Sequence, residues 1–266
     1  MLRSRVLTAL ALALLLVGAI LYSPPAVTSA ILALILLIGA WEWSAFLGVA
    51  APWRCSYVVV LMLGGIAGLL GTAEPQRFEA LLIVAVIWWT LALLWIAAAP
   101  GRAGSMTAAI AGVLALWPTW IALVHIDTRW AHGPQWTLFI LALSFAADTG
   151  AFFVGRQFGR VPLAPRVSPK KTWEGVGGGM LLALAVGVFG VVWFQQAPQR
   201  FLPLCLAAAG FSVIGDLTES LLKRHVHLKD SGRLFPGHGG VLDRIDSVTA
   251  ATPVMALGLI WLGVGA

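Results

Sequence analysis

The stretch Ala80-Leu81-Leu82-Ile83-Val84-Ala85-Val86-Ile87-Trp88-Trp89-Thr90-Leu91-Ala92-Leu93-Leu94-Trp95-Ile96-Ala97-Ala98-Ala99 contains no charged side chain. As an α-helix, a run of this length rises about 30 Å, the thickness of a bilayer's hydrocarbon core. It is not alone. Outward in both directions, apolar runs recur at 6–22, 26–47, 55–71, 106–126, 135–155, 176–194, 201–222 and 248–265. With 80–99 they make nine candidate spans, of which the third and ninth are the shortest, so eight is the alternative count. The expected fold class is all-α: a polytopic helical membrane protein with about nine transmembrane helices.

Composition excludes the other classes. The chain has 266 residues, 60% hydrophobic and 11% charged, with a mean hydropathy of +0.92. A soluble domain carries about 25% charged residues, so soluble globular, disordered, collagenous and coiled-coil readings all fall. Two cysteines, Cys55 and Cys205, exclude a disulfide framework and a four-Cys zinc site. The net charge of +6 needs no nucleic-acid partner, because the positive-inside bias of membrane proteins accounts for it. With the N-terminus in the cytosol, the cytosolic segments collect 14 Lys and Arg residues against 3 on the opposite side (Arg77, Arg129, Arg200). Arg3 and Arg5 precede the first run. Its length, and the lack of an A-x-A site before Pro24-Pro25, point to a retained anchor over a cleaved signal. Tryptophans near span ends, such as Trp41, Trp43, Trp53, Trp120, Trp136 and Trp173, are expected as interfacial anchors.

Charge is unevenly spread. Residues 1–142 carry 10 charged side chains, 143–247 carry 18 and 248–266 none. This divides the chain into a scaffold of membrane helices, 1–134, and a working half, 135–266, with cytosolic loops at 156–175 and 223–247. Asp148 sits well inside the sixth span, where a carboxylate costs about 2.5–3.5 kcal/mol. The alternatives there are a helix-tying hydrogen bond or a polar cavity. Asp216 and Glu219 are three apart on one helix face, with Ser220 and Lys223 continuing it, and Glu219 can pair with Lys223. Asp243 and Asp246 repeat the spacing before the ninth span. Between these pairs lies a basic, glycine-rich segment: Lys223, Arg224, Lys229, Asp230, Gly232, Pro236-Gly237-His238-Gly239-Gly240 and Arg244. Paired carboxylates with cations and glycines suit a magnesium ion carrying substrate phosphates. The plainer alternatives are a solvated helix end and a basic surface loop binding anionic lipid. The other loop, Ser168-Pro169-Lys170-Lys171-Thr172-Trp173-Glu174-Gly175 followed by Gly177-Gly178-Gly179, lacks the Walker spacing but offers an anion hydroxyls, lysines and a helix start. Its glycines alternatively permit close helix packing.

These residues resemble a known family. From Ser220 through Lys223-Arg224, Lys229-Asp230, Gly232, Phe235-Pro236, His238-Gly239-Gly240-Val241 and Asp243-Arg244-Ile245-Asp246, every fixed position matches the signature of the phosphatidate cytidylyltransferases, the CDP-diacylglycerol synthases. Gly215-Asp216-Leu217-Thr218-Glu219-Ser220, the Ser168–Gly175 segment and Asp148-Thr149-Gly150 are also similar to the bacterial members, so the likeness covers residues 144–252. It implies that CTP and phosphatidate give CDP-diacylglycerol and pyrophosphate. It also implies a magnesium requirement with potassium as a candidate second cation, metal-binding acids at Asp216, Asp243 and Asp246, a bacterial inner-membrane location and a homodimer. Residues and resemblance together give an expected catalytic set of Asp216, Lys223, Arg224, Lys229, Asp230, Asp243, Arg244 and Asp246. The expected substrate-binding set is Asp148, Ser168, Lys170, Lys171, Thr172, Glu174, Glu219, Ser220, His238, Gly239 and Gly240. The competing readings are a CTP-dependent polyprenol or lipid kinase, an ion-coupled transporter motivated by the intramembrane acids, and a lipid-binding scaffold.

Overall fold

The computed structural model describes residues 14–101, 103–232, 234 and 239–265. The described residues are mostly helical. After α1 (residues 14–22) come α2 (Pro25–Ser44), a short 3-10 turn (Ala45–Leu47), α3 (Ala51–Gly71), α4 (Pro75–Ala98), α5 (Ser105–Arg129) and α6 (Gly133–Phe158). A hairpin of β1 (Pro162–Ala164) and β2 (Ser168–Thr172) follows, then α7 (Trp173–Trp193), α8 (Pro198–His225) and α9 (Leu242–Trp261). Proline opens α2, α3, α4, α6 and α8 within their first two positions. There its missing N–H is no loss, because the first amides of a helix have no partner inside it.

Among the described residues, seven helices are long and apolar enough to cross a membrane: α2 with its 3-10 turn, and α3 to α8. They account for seven of the nine expected spans. The start of the first span lies outside the described residues, and α9, although 20 residues long, carries Asp243, Arg244 and Asp246 near its start and is not among the seven. Most helices run several residues beyond the apolar runs that signalled them, because backbone hydrogen bonding continues past the apolar segment.

Helices that are apolar all round cannot choose their buried face by amphipathicity. Small residues choose it instead. On α6, Ala147, Gly150, Ala151 and Gly155 face Gly175, Gly178 and Gly179 of α7. A Cβ on Gly178 would stand 2.7 Å from the Gly150 carbonyl oxygen, and one on Gly179 2.7 Å from that of Ala147. The glycines of this run therefore serve close helix packing, whereas Gly177 faces open space. Helix α9 packs among α4, α5, α6 and α8. The Thr119 hydroxyl of α5 donates to the Thr249 carbonyl of α9 at 2.8 Å.

Three expectations change. The segment 156–175 is not an open loop: its first residues extend α6, and the rest forms the antiparallel hairpin, pairing Pro162 with Thr172 and Ala164 with Ser168. The segment 223–247 is shortened from both ends by α8 and α9. Trp43, Trp120 and Trp136 are buried core side chains and not interfacial anchors, whereas Trp41, Trp53 and Trp173 are exposed. The Trp43 indole donates to the Ala108 carbonyl at 2.8 Å, and Trp136 stacks on Phe194 at 3.6 Å.

Candidate active site

A cavity of about 620 Å³ opens between α6, the hairpin, α7 and α8. Asp148, Ser168, Lys170, Lys171, Thr172 and Asp216, all singled out from the sequence, line it. Helix α6 supplies Asp148 and, two turns on, Arg156; β2 supplies the hydroxyl and the two lysines; α8 supplies Asp216. Lys171 Nζ lies 2.5 Å from Asp216 Oδ2, which ties the hairpin to α8. Asp148 Oδ2 accepts the Ser247 hydroxyl of α9 at 2.6 Å, and Asp216, Lys171 and Arg244 all stand within electrostatic reach of it. Asp148 thus does both things the sequence left open: it ties α6 to α9 and it lines a cavity. Phe152, Leu163 and Val213 give the same cavity an apolar wall.

Beside the cavity, α8 and α9 face each other acid to acid and acid to base. Glu219 and Asp246, both buried, meet side chain to side chain. Lys223 Nζ lies 3.2 Å from Glu219 and 2.6 Å from Asp243 Oδ1. The helical spacings read from the sequence therefore hold: 219 with 223 on α8, and 243 with 246 on α9. Lys223 is clamped between two carboxylates, to which it is the counter-ion.

Asp243 has further partners. Its Oδ2 accepts the Ser231 N–H (2.9 Å), the Ser231 hydroxyl (2.9 Å) and the Gly240 N–H (2.8 Å), while Oδ1 is held by Lys223. Burial works against its charge, but these donors outweigh burial and hold the carboxyl below the usual carboxylate range. Both oxygens are engaged, so the expected metal trio of Asp216, Asp243 and Asp246 is not assembled. Among the described residues no group of three or more His, Cys, Asp or Glu side chains is placed to hold a metal. Asp216, facing the cavity, and Asp246, beside Glu219, retain the oxygen chemistry that magnesium takes from one or two carboxylates plus substrate phosphates. Asp216 is engaged by Lys171 through one oxygen and Asp246 by the Ser247 N–H through one, whereas Asp243 has both oxygens engaged.

The remaining expected residues divide. Arg244, Arg224, Lys229 and Asp230 are exposed, and Ser220 is half-buried on α8. Glu174 accepts the backbone N–H groups of Arg160 (3.1 Å) and Val161 (3.2 Å), and so anchors the hairpin without lining the cavity. Thr172 caps α7 by accepting the Gly175 N–H at 3.2 Å. Gly239 has φ +81° and Gly240 gives its N–H to Asp243, so both shape the loop. His238, with Phe235, Pro236 and Gly237, lies outside the described residues.

Two residues were missed. Arg156 lines the cavity, and its spacing of eight from Asp148 on one helix placed it on the same face. Glu42, on α2, is buried. Its Oε1 accepts the Val241 N–H at 3.1 Å, and its Oε2 accepts the Leu242 N–H at 2.7 Å and the Ser231 hydroxyl at 3.1 Å. A carboxylate inside an apolar run was the available signal for Glu42, as it was for Asp148.

Such an arrangement defines a multi-pass membrane protein with a polar cavity, lined by acids and cations, at the ends of apolar helices. Residues 3–261 match the model of the Cytidylyltransferase family, and the chain belongs to that family; it is a nucleotidyltransferase. It is similar to the phosphatidate cytidylyltransferase of Haemophilus influenzae (37% identical, covering 95% of this chain and 96% of the relative). The protein of that name from Pseudomonas aeruginosa is 38% identical over 98% of this chain and 97% of the relative. The one from Brucella suis is 47% identical over 45% of each. The kinase and transporter readings gain no support from these matches.

Proposed function

We propose that this chain transfers the cytidylyl group of CTP to phosphatidate, giving CDP-diacylglycerol and pyrophosphate for phospholipid synthesis. The observation that carries the proposal is the cavity itself, lined by Arg156, Lys170 and Lys171 together with Asp148 and Asp216, and by the apolar side chains of Phe152, Leu163 and Val213. Relatives named for that reaction match the chain almost end to end. A phosphate oxygen of phosphatidate attacks the α-phosphorus of CTP, and the bond from that phosphorus to the bridging oxygen breaks as pyrophosphate leaves. The nucleophile is already an anion, so no strong base is required. The barrier is the approach of two polyanions and the charge developing on the leaving group, which positioning and preorganised electrostatics address.

Arg156, Lys170 and Lys171 neutralise phosphates entering the cavity, and Ser168 donates a hydrogen bond. The Lys171 ion pair keeps Asp216 aimed at the same space. Arg244, near Asp148, draws phosphates toward α9. Asp216 and Asp246 would hold magnesium, which when bound would supply neutralisation of phosphate charge. Potassium as a second cation and a homodimeric assembly belong to the same proposal. So does a bacterial inner membrane with the cavity facing the cytosol, supported by the Lys and Arg bias and by the cytosolic supply of CTP. Phe152, Leu163 and Val213 give the diacylglycerol end of the substrate an apolar approach.

The test uses protein in liposomes with magnesium, phosphatidate and CTP labelled separately at the α- and γ-phosphates. Magnesium-dependent entry of the α-label into lipid, with the γ-label leaving as pyrophosphate, is the expected result. Entry of the γ-label into lipid would replace it with a kinase.

A further inference from the structure

We propose that Glu42, on a helix of the N-terminal half, is a positioning residue for the glycine-rich loop and for α9; the proposal rests on the reading of that loop as part of the catalytic apparatus. Val241 is the N-cap of α9 and Leu242 its first residue, where backbone N–H groups lack partners within the helix, and the N-cap side chain makes no capping hydrogen bond. The Glu42 carboxylate caps them from about 200 residues away in sequence, at 3.1 and 2.7 Å. Its negative charge also suits the positive end of the helix dipole.

From Glu42 a chain of contacts runs to the acids beside the cavity. The Ser231 hydroxyl lies 3.1 Å from Glu42 and 2.9 Å from Asp243; Asp243 holds Lys223, Lys223 holds Glu219, and Glu219 meets Asp246. An independent observation comes from two glycines. A Cβ on Gly232 would lie 2.1 Å from Glu42 Oε1, and all three of its nearest atoms belong to Glu42. A Cβ on Gly240 would lie 2.3 Å from Glu42 Oε2. Glu42 at Gly232, and Glu42 with the Ser231 hydroxyl (2.4 Å) at Gly240, therefore leave no room for a Cβ at these two positions. Glu42 lies outside the cavity lining, so it acts through the loop and not on substrate.

The test combines kinetics with loop protection in purified, membrane-reconstituted protein. Glu42→Gln keeps the shape but aims an amide donor at a site built of donors. We expect kcat for CDP-diacylglycerol formation to fall about tenfold or more, the loss expected for hydrogen bonds to a charged group. The KM for CTP should change less than threefold, and the thermal midpoint should fall because buried donors lose their charged acceptor. Cleavage by trypsin after Lys229 should quicken, a readout independent of any substrate. In a Glu42→Ala background, Gly232→Ala should add less than twofold further loss, although Gly232→Ala alone is severe. Wild-type kcat and wild-type trypsin protection in Glu42→Gln would overturn the proposal. Should Glu42→Gln not accumulate as folded protein, Ser231→Ala decides: a loss of kcat above threefold supports the positioning role, and a smaller one overturns it. A wild-type protein that makes no CDP-diacylglycerol would refute the assigned reaction, while the trypsin comparison still judged Glu42.

Discussion

Lys171 on β2 and Asp216 on α8 form an ion pair at 2.5 Å inside the cavity they both line. The pair does two jobs. It fastens the hairpin to α8, and it holds a carboxylate that a substrate-bound cation would approach. Removing the lysine therefore loosens the wall and leaves Asp216 without its partner. Lys171→Ala should lower kcat/KM about ten- to a hundredfold, in line with the loss of a charge-assisted contact. Lys171→Arg should fall between, because a planar fork does not reproduce the compact ammonium. Steady-state rates at varied CTP check this. An unchanged rate and CTP dependence in Lys171→Ala would remove the residue from the site.

The two arginines at the end of α6 and just beyond should behave differently. Arg156 lines the cavity, whereas the Arg160 backbone, not its side chain, is what Glu174 holds. Arg156→Ala should raise the KM for CTP or phosphatidate about tenfold, as for one lost phosphate contact. Arg160→Ala should leave both within twofold. Equal effects of the two substitutions would mean that overall basicity matters and not the cavity position.

The glycines that open α7 give a stability test free of catalysis. A Cβ on Gly178 would lie 2.4 Å from Val154 and 2.7 Å from the Gly150 carbonyl oxygen, while one on Gly177 meets nothing within 4 Å. Gly178→Ala should destabilise by about 1–3 kcal/mol through overpacking. Gly177→Ala should be neutral or stabilise by up to about 1 kcal/mol through helix propensity. Thermal unfolding in detergent distinguishes them, and a destabilised Gly177→Ala beside an unaffected Gly178→Ala would contradict the α6–α7 contact.

The cost of placing charge in an apolar helix is what made the fold and much of the site legible. It drew attention to Asp148 and Asp216, and helical spacing then paired Glu219 with Lys223 and Asp243 with Asp246. The same cost applied to Glu42, but Glu42 stands alone in a charge-poor half, and its partners are backbone amides some 200 residues away, which leave no mark in composition. The hairpin was illegible for another reason. Strands of three and five residues offer too little alternation to read, and the contacts that hold them, from Glu174 and Lys171, come from tertiary structure. The contacts of Asp243 were illegible because spacing gives the face of a helix and not which donors meet it there. Ser231, Gly240 and Lys223 claim its oxygens through tertiary contacts that helical spacing does not show.

That difference between Asp243 and Asp216 sets the metal test. Asp216 faces the cavity and is engaged through Oδ2 by Lys171, whereas Asp243 holds Lys223 and the loop with both oxygens. If Asp216 and Asp246 bind magnesium together with substrate phosphates, Asp216→Asn should raise the magnesium concentration needed for half-maximal rate about tenfold or more, the scale of one lost charged ligand contact. The fold should be intact, and Asp246→Asn should abolish turnover in protein that still unfolds at the wild-type temperature. EDTA should silence the wild type and fresh magnesium should restore it. Asp243→Asn should instead leave the magnesium midpoint within twofold of wild type, lower kcat, and lower the thermal midpoint, because Lys223 is left half-buried with one carboxylate in place of two. Magnesium titrations of the three variants, run beside melting curves, separate the two roles. A large shift of the magnesium midpoint in Asp243→Asn, with none in Asp216→Asn, would return Asp243 to the metal and remove Asp216 from it.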